Sequence, residues 1–481
     1  MAAQARPEAF FPRTLLLATL QAGFNAVEER HLEAAAPADL ALWGARGLVA
    51  LDPTLDVELQ GDAVRLVRNG REVARRAIGN GSAGAAEALV WLFGAAWDVS
   101  PPVRQAGSDG LLEATFDEIF NHLDPYSRYL SANTADTARD RRMGTVGVGL
   151  VLENGDDGVR VAEVLPDSPA LAAGLRAGDL LTGLNRRSLR SADSEAVSAL
   201  LDGAAGSSVR LNYRRGRQAR TALLRRAQVA PVTVRAEQQG DLLLLRITAF
   251  SADTAGQLAE ALTTGLARNS LRGVVLDLRG NRGGLLREAV AVLEELVPSG
   301  LLVSTDGRHP DARRRFEGRG DDLAQDRPIA VLVDGRTASS AEIVAAALSD
   351  RGRGVVIGSA TMGKGLIQVL MPLPNGGELS LSWSRVLAPD GWPVQSLGVI
   401  PALCTSLGAE NTSLALERLE RGEAPMGAVL KRLRAARAPV LASEVVALRD
   451  SCPPAEARES DLQVATALLD HPEAYRAALP R

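Results

Sequence analysis

The sequence predicts a multidomain α/β protein, and three observations carry that prediction. The chain has 481 residues, enough for about three domains at roughly 150 residues each. From Gly144 the texture becomes short alternating runs (VGVGLVLE, VRVAEVL, VRLNYRR, TALLRR) parted by glycine turns, the pattern of a small β-rich module. From about Val232 apolar runs (LLLLRITAF, GVVLDLR, IAVLVDG, GVVIGS) each lead into a turn or a helical stretch, the alternation of an α/β core. The expected organisation is a mainly helical region over 1–140, the β-rich module over 141–228, the α/β core over 229–405, and a helical extension over 406–481.

Composition narrows the function classes. Hydrophobic residues are 46% and charged residues 23%, so the chain can bury several cores and is not disordered as a whole. The formal charge is −4 with no basic block, which argues against a nucleic-acid binder. No apolar run approaches the length of a membrane span. The four histidines lie far apart and the two cysteines form no cluster with them, so a structural or catalytic zinc site is not expected; the serine chemistry read below needs no metal and no organic cofactor. Only Lys364 and Lys431 are lysines, against 52 arginines. A lysine kept under such a bias is a candidate for work that arginine cannot do, since arginine does not lose its proton.

In the helical region, Thr14 to Val27 is uncharged and follows Arg6 and Arg13. Two readings stand: the apolar part of a secretion signal without a clean cleavage site, or an amphipathic helix with Leu16, Leu20 and Val27 on one face. Val57 to Ala74 alternates around Asn69-Gly70 and reads as a hairpin. Leu51-Asp52-Pro53 and Leu123-Asp124-Pro125 each end an apolar helical stretch; this is a degenerate repeat or one stop signal used twice. Strand candidates return at Glu378 to Leu387. Cys404 and Cys452 are either a disulfide or two buried thiols.

The stretch Asp334-Gly335-Arg336-Thr337-Ala338-Ser339-Ser340-Ala341-Glu342 carries an apolar strand through a small-residue turn into a helix. A serine at a helix N-terminus suits a nucleophile whose reaction builds an oxyanion. Ser339-x-x-Glu342 is equally a capping box. Lys364 follows 25 residues later in Thr361-Met362-Gly363-Lys364-Gly365-Leu366-Ile367-Gln368. A neutral lysine can take the proton of a serine hydroxyl without histidine; a solvated turn lysine is the plainer reading. Leu276-Asp277-Leu278-Arg279-Gly280-Asn281-Arg282-Gly283-Gly284 joins a strand to a helix through glycines. It matches neither the P-loop nor a strict GxGxxG.

These three motifs in this order resemble the carboxyl-terminal processing peptidases, or tail-specific proteases, over roughly Leu112 to Ala402. Leu123-Asp124-Pro125-Tyr126-Ser127-Arg128-Tyr129 matches the segment that precedes their peptide-binding module. The resemblance implies a ClpP/crotonase-like core and a serine endopeptidase with Ser339 as nucleophile, Lys364 as general base and Gln368 positioning it. It implies oxyanion donors in the backbone N–H groups of Gly283, Gly284 and Ser340. Arg282, Met362 and Ala402 depart from the family pattern, at positions that do not react. Gly147-Val148-Gly149-Leu150 resembles the carboxylate loop of a PDZ domain, which captures a peptide C-terminus on successive N–H groups. Protein or peptide C-termini are therefore the expected partners, and the bacterial cell envelope, on its periplasmic side, the expected location. The rival readings are a non-catalytic peptide-binding scaffold, and a hydrolase with His122 or His309 as base but no G-x-S-x-G elbow.

Overall fold

A computed structural model describes residues 10–268 and 271–479; Arg6 lies outside them. The chain forms two compact units, one made of residues up to Ala138 with Val303–Phe316 and Lys364–Ser396, the other of Arg139–Leu302, Glu317–Gly363 and Leu397 onward.

In the first unit, helices Arg13–Arg30, Pro37–Leu51, Gly81–Val99 and Pro101–Asn121 surround one core. Leu16, Leu20, Phe24 and Val27 are fully buried in it, so the uncharged N-terminal stretch folds as an amphipathic helix whose apolar face packs with Phe116, Leu379 and Leu381. Each such side chain contributes roughly 1.5–3 kcal/mol on burial. Prolines at the first turns of two of these helices cost nothing, because those N–H groups have no helical partner. The expected hairpin is instead a three-stranded meander, Leu55–Gln60, Ala63–Arg68 and Arg71–Ala77. Asn69 and Gly70 make the second turn with φ of 48° and 76°, while Gly61 at φ 62° makes a first turn that the alternation had hidden. A second sheet pairs Leu366–Pro372 with Glu378–Leu387 antiparallel, setting Gln368 opposite Ser382, and Arg128–Leu130 adds to the far side of the latter strand.

The second unit contains a sheet ordered Gln218–Arg225, Ser208–Arg215, Leu180–Leu184, Gly158–Val164, Leu150–Gly155. Helix Ser194–Leu201 packs on its last two strands. Its core is Val159, Val161, Leu181, Val209, Leu211 and their neighbours. The larger sheet runs Val234–Gln239, Leu242–Ile247, Gly273–Asp277, Ile329–Val333, Gly354–Gly358, Leu403–Cys404. Its last five strands are parallel, and the three central ones are buried at every position, which is why they read as unbroken apolar runs. Helices Ala409–Glu420, Gly427–Ala435, Ala442–Asp450, Ser460–Asp470 and Pro472–Ala478 follow. Cys404 and Cys452 form a disulfide. Among the described residues no helix is long and apolar enough to cross a membrane. The multidomain α/β class is the one the sequence predicts.

Candidate active site

Strand Ile329–Val333 ends at Asp334, whose buried carboxylate organises the turn that follows. Its Oδ1 accepts the N–H groups of Arg336 and Thr337 and of Gly280, at 3.0, 2.9 and 3.0 Å. The Thr337 hydroxyl donates to the Leu278 carbonyl at 3.0 Å. Two strand ends are thereby tied at one point, and the chain is delivered to Ser339 immediately before helix Ser340–Asp350. Ser339 has φ 56° and ψ −119°, a left-handed conformation that costs a non-glycine residue about 1–3 kcal/mol. Strain of that size persists only where the surroundings hold it. Here the Ser339 N–H donates to Glu342 Oε2 at 2.8 Å, the glutamate half of the capping box.

Glu342 does more than cap. It is fully buried, and its Oε1 accepts the Thr361 hydroxyl and the Gly363 N–H, the latter at 2.7 Å. One carboxylate therefore fixes the Ser339 amide and the residue preceding Lys364 in the chain. Nothing local to Ser339-x-x-Glu342 signals this second role, because Thr361 and Gly363 lie about twenty positions away.

The glycine turn lies against the same helix start. Asn281, fully buried, donates from Nδ2 to the Ile247 carbonyl at 2.8 Å, and its backbone carbonyl accepts the Ala338 N–H at 2.9 Å. Gly283 has φ 91°, and a Cβ there would stand 2.8 Å from the Ala338 carbonyl, the Ser339 Cβ and the Ser340 nitrogen. A Cβ on Gly284 would meet the Phe250 carbonyl at 2.0 Å. Both positions are closed to any side chain, and Gly283, Gly284, Ser339 and Ser340 come together. One expectation needs correcting: the Gly283 N–H donates to Asn281 Oδ1 at 2.8 Å, so it faces inward to its own turn instead of toward an oxyanion. Arg279 of the same turn pairs with Asp277 through two bonds of 2.8 and 2.9 Å and reaches the Arg458 carbonyl at 2.7 Å. The hydrogen bonds it donates to Asp277 outweigh its burial and raise its already high pKa, so it is a permanently charged brace to the C-terminal helices.

Lys364 and Gln368 belong to the first unit. The Lys364 amine lies 5.3 Å from the centre of the Tyr126 ring. Gln368 Nε2 donates to Ser382 Oγ at 3.2 Å and to the Leu366 carbonyl at 3.3 Å. Ser382 Oγ in turn donates to Asp124 Oδ1 at 2.8 Å. Asp124 and Asp52 each receive N–H groups from just beyond their own helix ends; the Leu-Asp-Pro echo is thus one stop device used twice.

In the β-rich module Val148 is buried, its carbonyl accepts the Ala170 N–H at 2.9 Å, and the Gly149 carbonyl accepts that of Leu165 at 3.0 Å. Gly149 has φ 77°, and a Cβ there would fall 2.1 Å from the Ser168 Cβ. Gly147 closes the preceding strand, and Leu150 opens the strand that forms the sheet edge beside helix Ser194–Leu201. An edge strand next to a helix is the setting in which a peptide adds as a further strand.

The histidines named as alternative bases are otherwise engaged. His122 stacks on Trp43 and faces Glu118, and His309 accepts the Asp311 N–H at 3.2 Å. Among the described residues no group of acidic, histidine and cysteine side chains could hold a metal ion.

The profile of peptidase family S41 matches residues 241–403, and that of the PDZ domain matches residues 144–225. The chain is 31% identical over 299 residues to the carboxy-terminal-processing protease of Bartonella bacilliformis, covering 60% of this chain and 68% of that one. It is 28% identical over 306 residues to the "Probable CtpA-like serine protease" of Staphylococcus epidermidis, covering 63% of this chain and 62% of the relative. A solved structure of a photosystem II D1 C-terminal processing protease is 27% identical with a TM-score of 0.36, covering 67% of this chain and 92% of that one.

Proposed function

The chain belongs to peptidase family S41, the serine peptidases that include the carboxy-terminal-processing proteases, and on that premise we propose that Ser339 is its nucleophile, Lys364 its general base and Gln368 the residue that positions the lysine. The substrates are proteins whose C-termini are held at Gly147–Leu150 of the PDZ domain. The observation that carries the reading is the left-handed Ser339, pinned through its N–H to buried Glu342 at the start of a helix.

In the proposed cycle the Ser339 hydroxyl oxygen attacks the scissile carbonyl carbon while its proton passes to the neutral Lys364 amine. The tetrahedral oxyanion is received by the Ser340 and Gly284 N–H groups at the positive end of the helix dipole. As the C–N bond breaks, the Lys364 ammonium returns the proton to the leaving amine, and an ester to Ser339 remains. Water then attacks that ester with Lys364 again taking the proton. The C-terminal fragment's former partner leaves as a carboxylic acid and the Ser339 hydroxyl is restored. The cell envelope is the proposed location; the Cys404–Cys452 disulfide supports an oxidising compartment.

The test compares wild type with Lys364→Arg on an unfolded protein bearing an apolar C-terminus. Arginine keeps charge and reach but cannot become neutral. Cleavage by the wild type that disappears in the folded variant supports the dyad. Equal cleavage by both removes Lys364 from the mechanism, and peptide binding without cleavage by either favours the non-catalytic scaffold.

A further inference from the structure

We propose that Asp124 is a positioning residue for the base: it sets the Tyr126 ring beside the Lys364 amine and, through Ser382, holds the Gln368 amide. This rests on the reading of Lys364 as general base. The Asp124 carboxylate takes five hydrogen bonds, from the Tyr126 and Ser127 N–H groups (2.8 and 3.0 Å), the Ser127 and Ser382 hydroxyls (2.5 and 2.8 Å) and His31 Nε2 (2.8 Å). A carboxylate offers about four lone-pair sites, so this one is saturated.

Two of these bonds, those of Tyr126 and Ser382, lead toward the lysine. The Tyr126 N–H is fixed to Asp124, and its ring centre stands 5.3 Å from Lys364 Nζ. Ser382 is fixed to Asp124 by its hydroxyl, and its N–H donates to Ser127 Oγ at 3.0 Å. Ser382 then accepts the Gln368 amide across the ladder that sets the two residues opposite each other. Lysine carries its amine on a four-carbon stem with many rotamers, and a catalytic group displaced by about 1 Å can lose a hundredfold in rate. The ring removes one side of the space open to that stem. Its face is also electron-rich, and the amine becomes an ammonium as it takes the serine proton, so the ring favours the charge that develops in the step. The tyrosine hydroxyl has no part in this.

The chain's only two lysines make the proposal directly observable. With 13C-lysine labelling the side chains of Lys364 and Lys431 give two sets of signals, assigned with Lys431→Arg. The Lys364 Cε protons are expected upfield of the Lys431 signals through the Tyr126 ring current. That displacement should persist in Tyr126→Phe, vanish in Tyr126→Leu and shrink in Asp124→Asn. Turnover should fall about tenfold or more in Tyr126→Leu with KM within about twofold, and Phe should restore it. Ser382→Ala, which cuts one link only, should lower kcat without moving the ring-current shift. It keeps the proposal testable should Asp124→Asn fail to fold. Wild-type kcat in Tyr126→Leu, or an unshifted Lys364 signal in the wild type, overturns the Tyr126 arm; wild-type kcat in Ser382→Ala overturns the Gln368 arm. Lys364→Ala separates the two levels. If it still cleaves, the general-base reading itself fails; if it is inactive while Tyr126→Leu is fully active, only the positioning fails.

Discussion

The backbone N–H of Ser339 donates to the buried carboxylate of Glu342 at 2.8 Å, three residues further on. The sequence offered two competing meanings for this pair, a helix cap and a nucleophile at a helix start. The structure makes them compatible, because the same cap holds Ser339 in its left-handed conformation at the helix start.

Glu342→Gln tests that arrangement. Glutamine has one acceptor oxygen where the carboxylate has two, and its amide nitrogen accepts nothing, so either the Ser339 N–H on Oε2 or the Gly363 N–H and Thr361 hydroxyl on Oε1 lose their acceptor, at about 1–3 kcal/mol per buried donor. Urea unfolding should show that loss. The rate at which a fluorophosphonate labels Ser339 should drop by a larger factor than stability alone explains, and an unchanged labelling rate would show that Glu342 is structural only.

Asp124 predicts a pH dependence of stability. Burial pushes its pKa up, but the hydrogen bonds from His31, Ser127, Tyr126 and Ser382 outweigh it and hold the carboxyl well below the usual range. Its ionised form therefore favours the folded state. That contribution is complete above the unfolded value of about 3.9 and disappears as pH falls through the lower folded value. The stability gap between wild type and Asp124→Asn should be open at about pH 5 and narrow steadily below about pH 4, read from denaturant titrations at each pH.

Gly149→Ala addresses the proposed peptide site. The added methyl meets Ser168 at 2.1 Å and the backbone sits at φ 77°, so the loop must shift. Affinity for a labelled peptide with a free C-terminus should weaken at least about tenfold, or 1.4 kcal/mol, in anisotropy titrations of the full chain. Unchanged affinity would place the peptide elsewhere.

The Cys404–Cys452 bond closes a separation of 48 residues, for which a contribution of about 2–4 kcal/mol is expected. The segment after Cys452 also clamps the turn that leads to Ser339, since the Ala455 carbonyl accepts the Gly335 N–H at 2.7 Å. Replacing both cysteines with serine should lower stability by that amount, and the wild type with dithiothreitol should match the variant.

Much of this protein is written locally. Apolar runs bounded by glycine turns marked the parallel strands, the alternating runs marked the PDZ module, and helical spacing placed Leu16, Leu20 and Val27 in a core. The order and spacing of Ser339, Lys364 and Gln368 were legible because each sits in a short motif at the end of a strand or at a turn. The first turn of the meander was missed because Gly61 lies inside an unbroken alternation. What only the tertiary structure decided depends on partners far apart in the chain: His31 on Asp124 across 93 positions, Ser382 on the same carboxylate across 258, the Lys364 amine beside the Tyr126 ring. The Gly283 amide donating to Asn281 Oδ1 is a different case, a contact between residues only two apart. Periodicity and turn chemistry act over a few residues and are visible in a single chain. Hydrogen-bond saturation of a buried group depends on which groups folding brings within 3 Å of it, and no spacing along the chain encodes that.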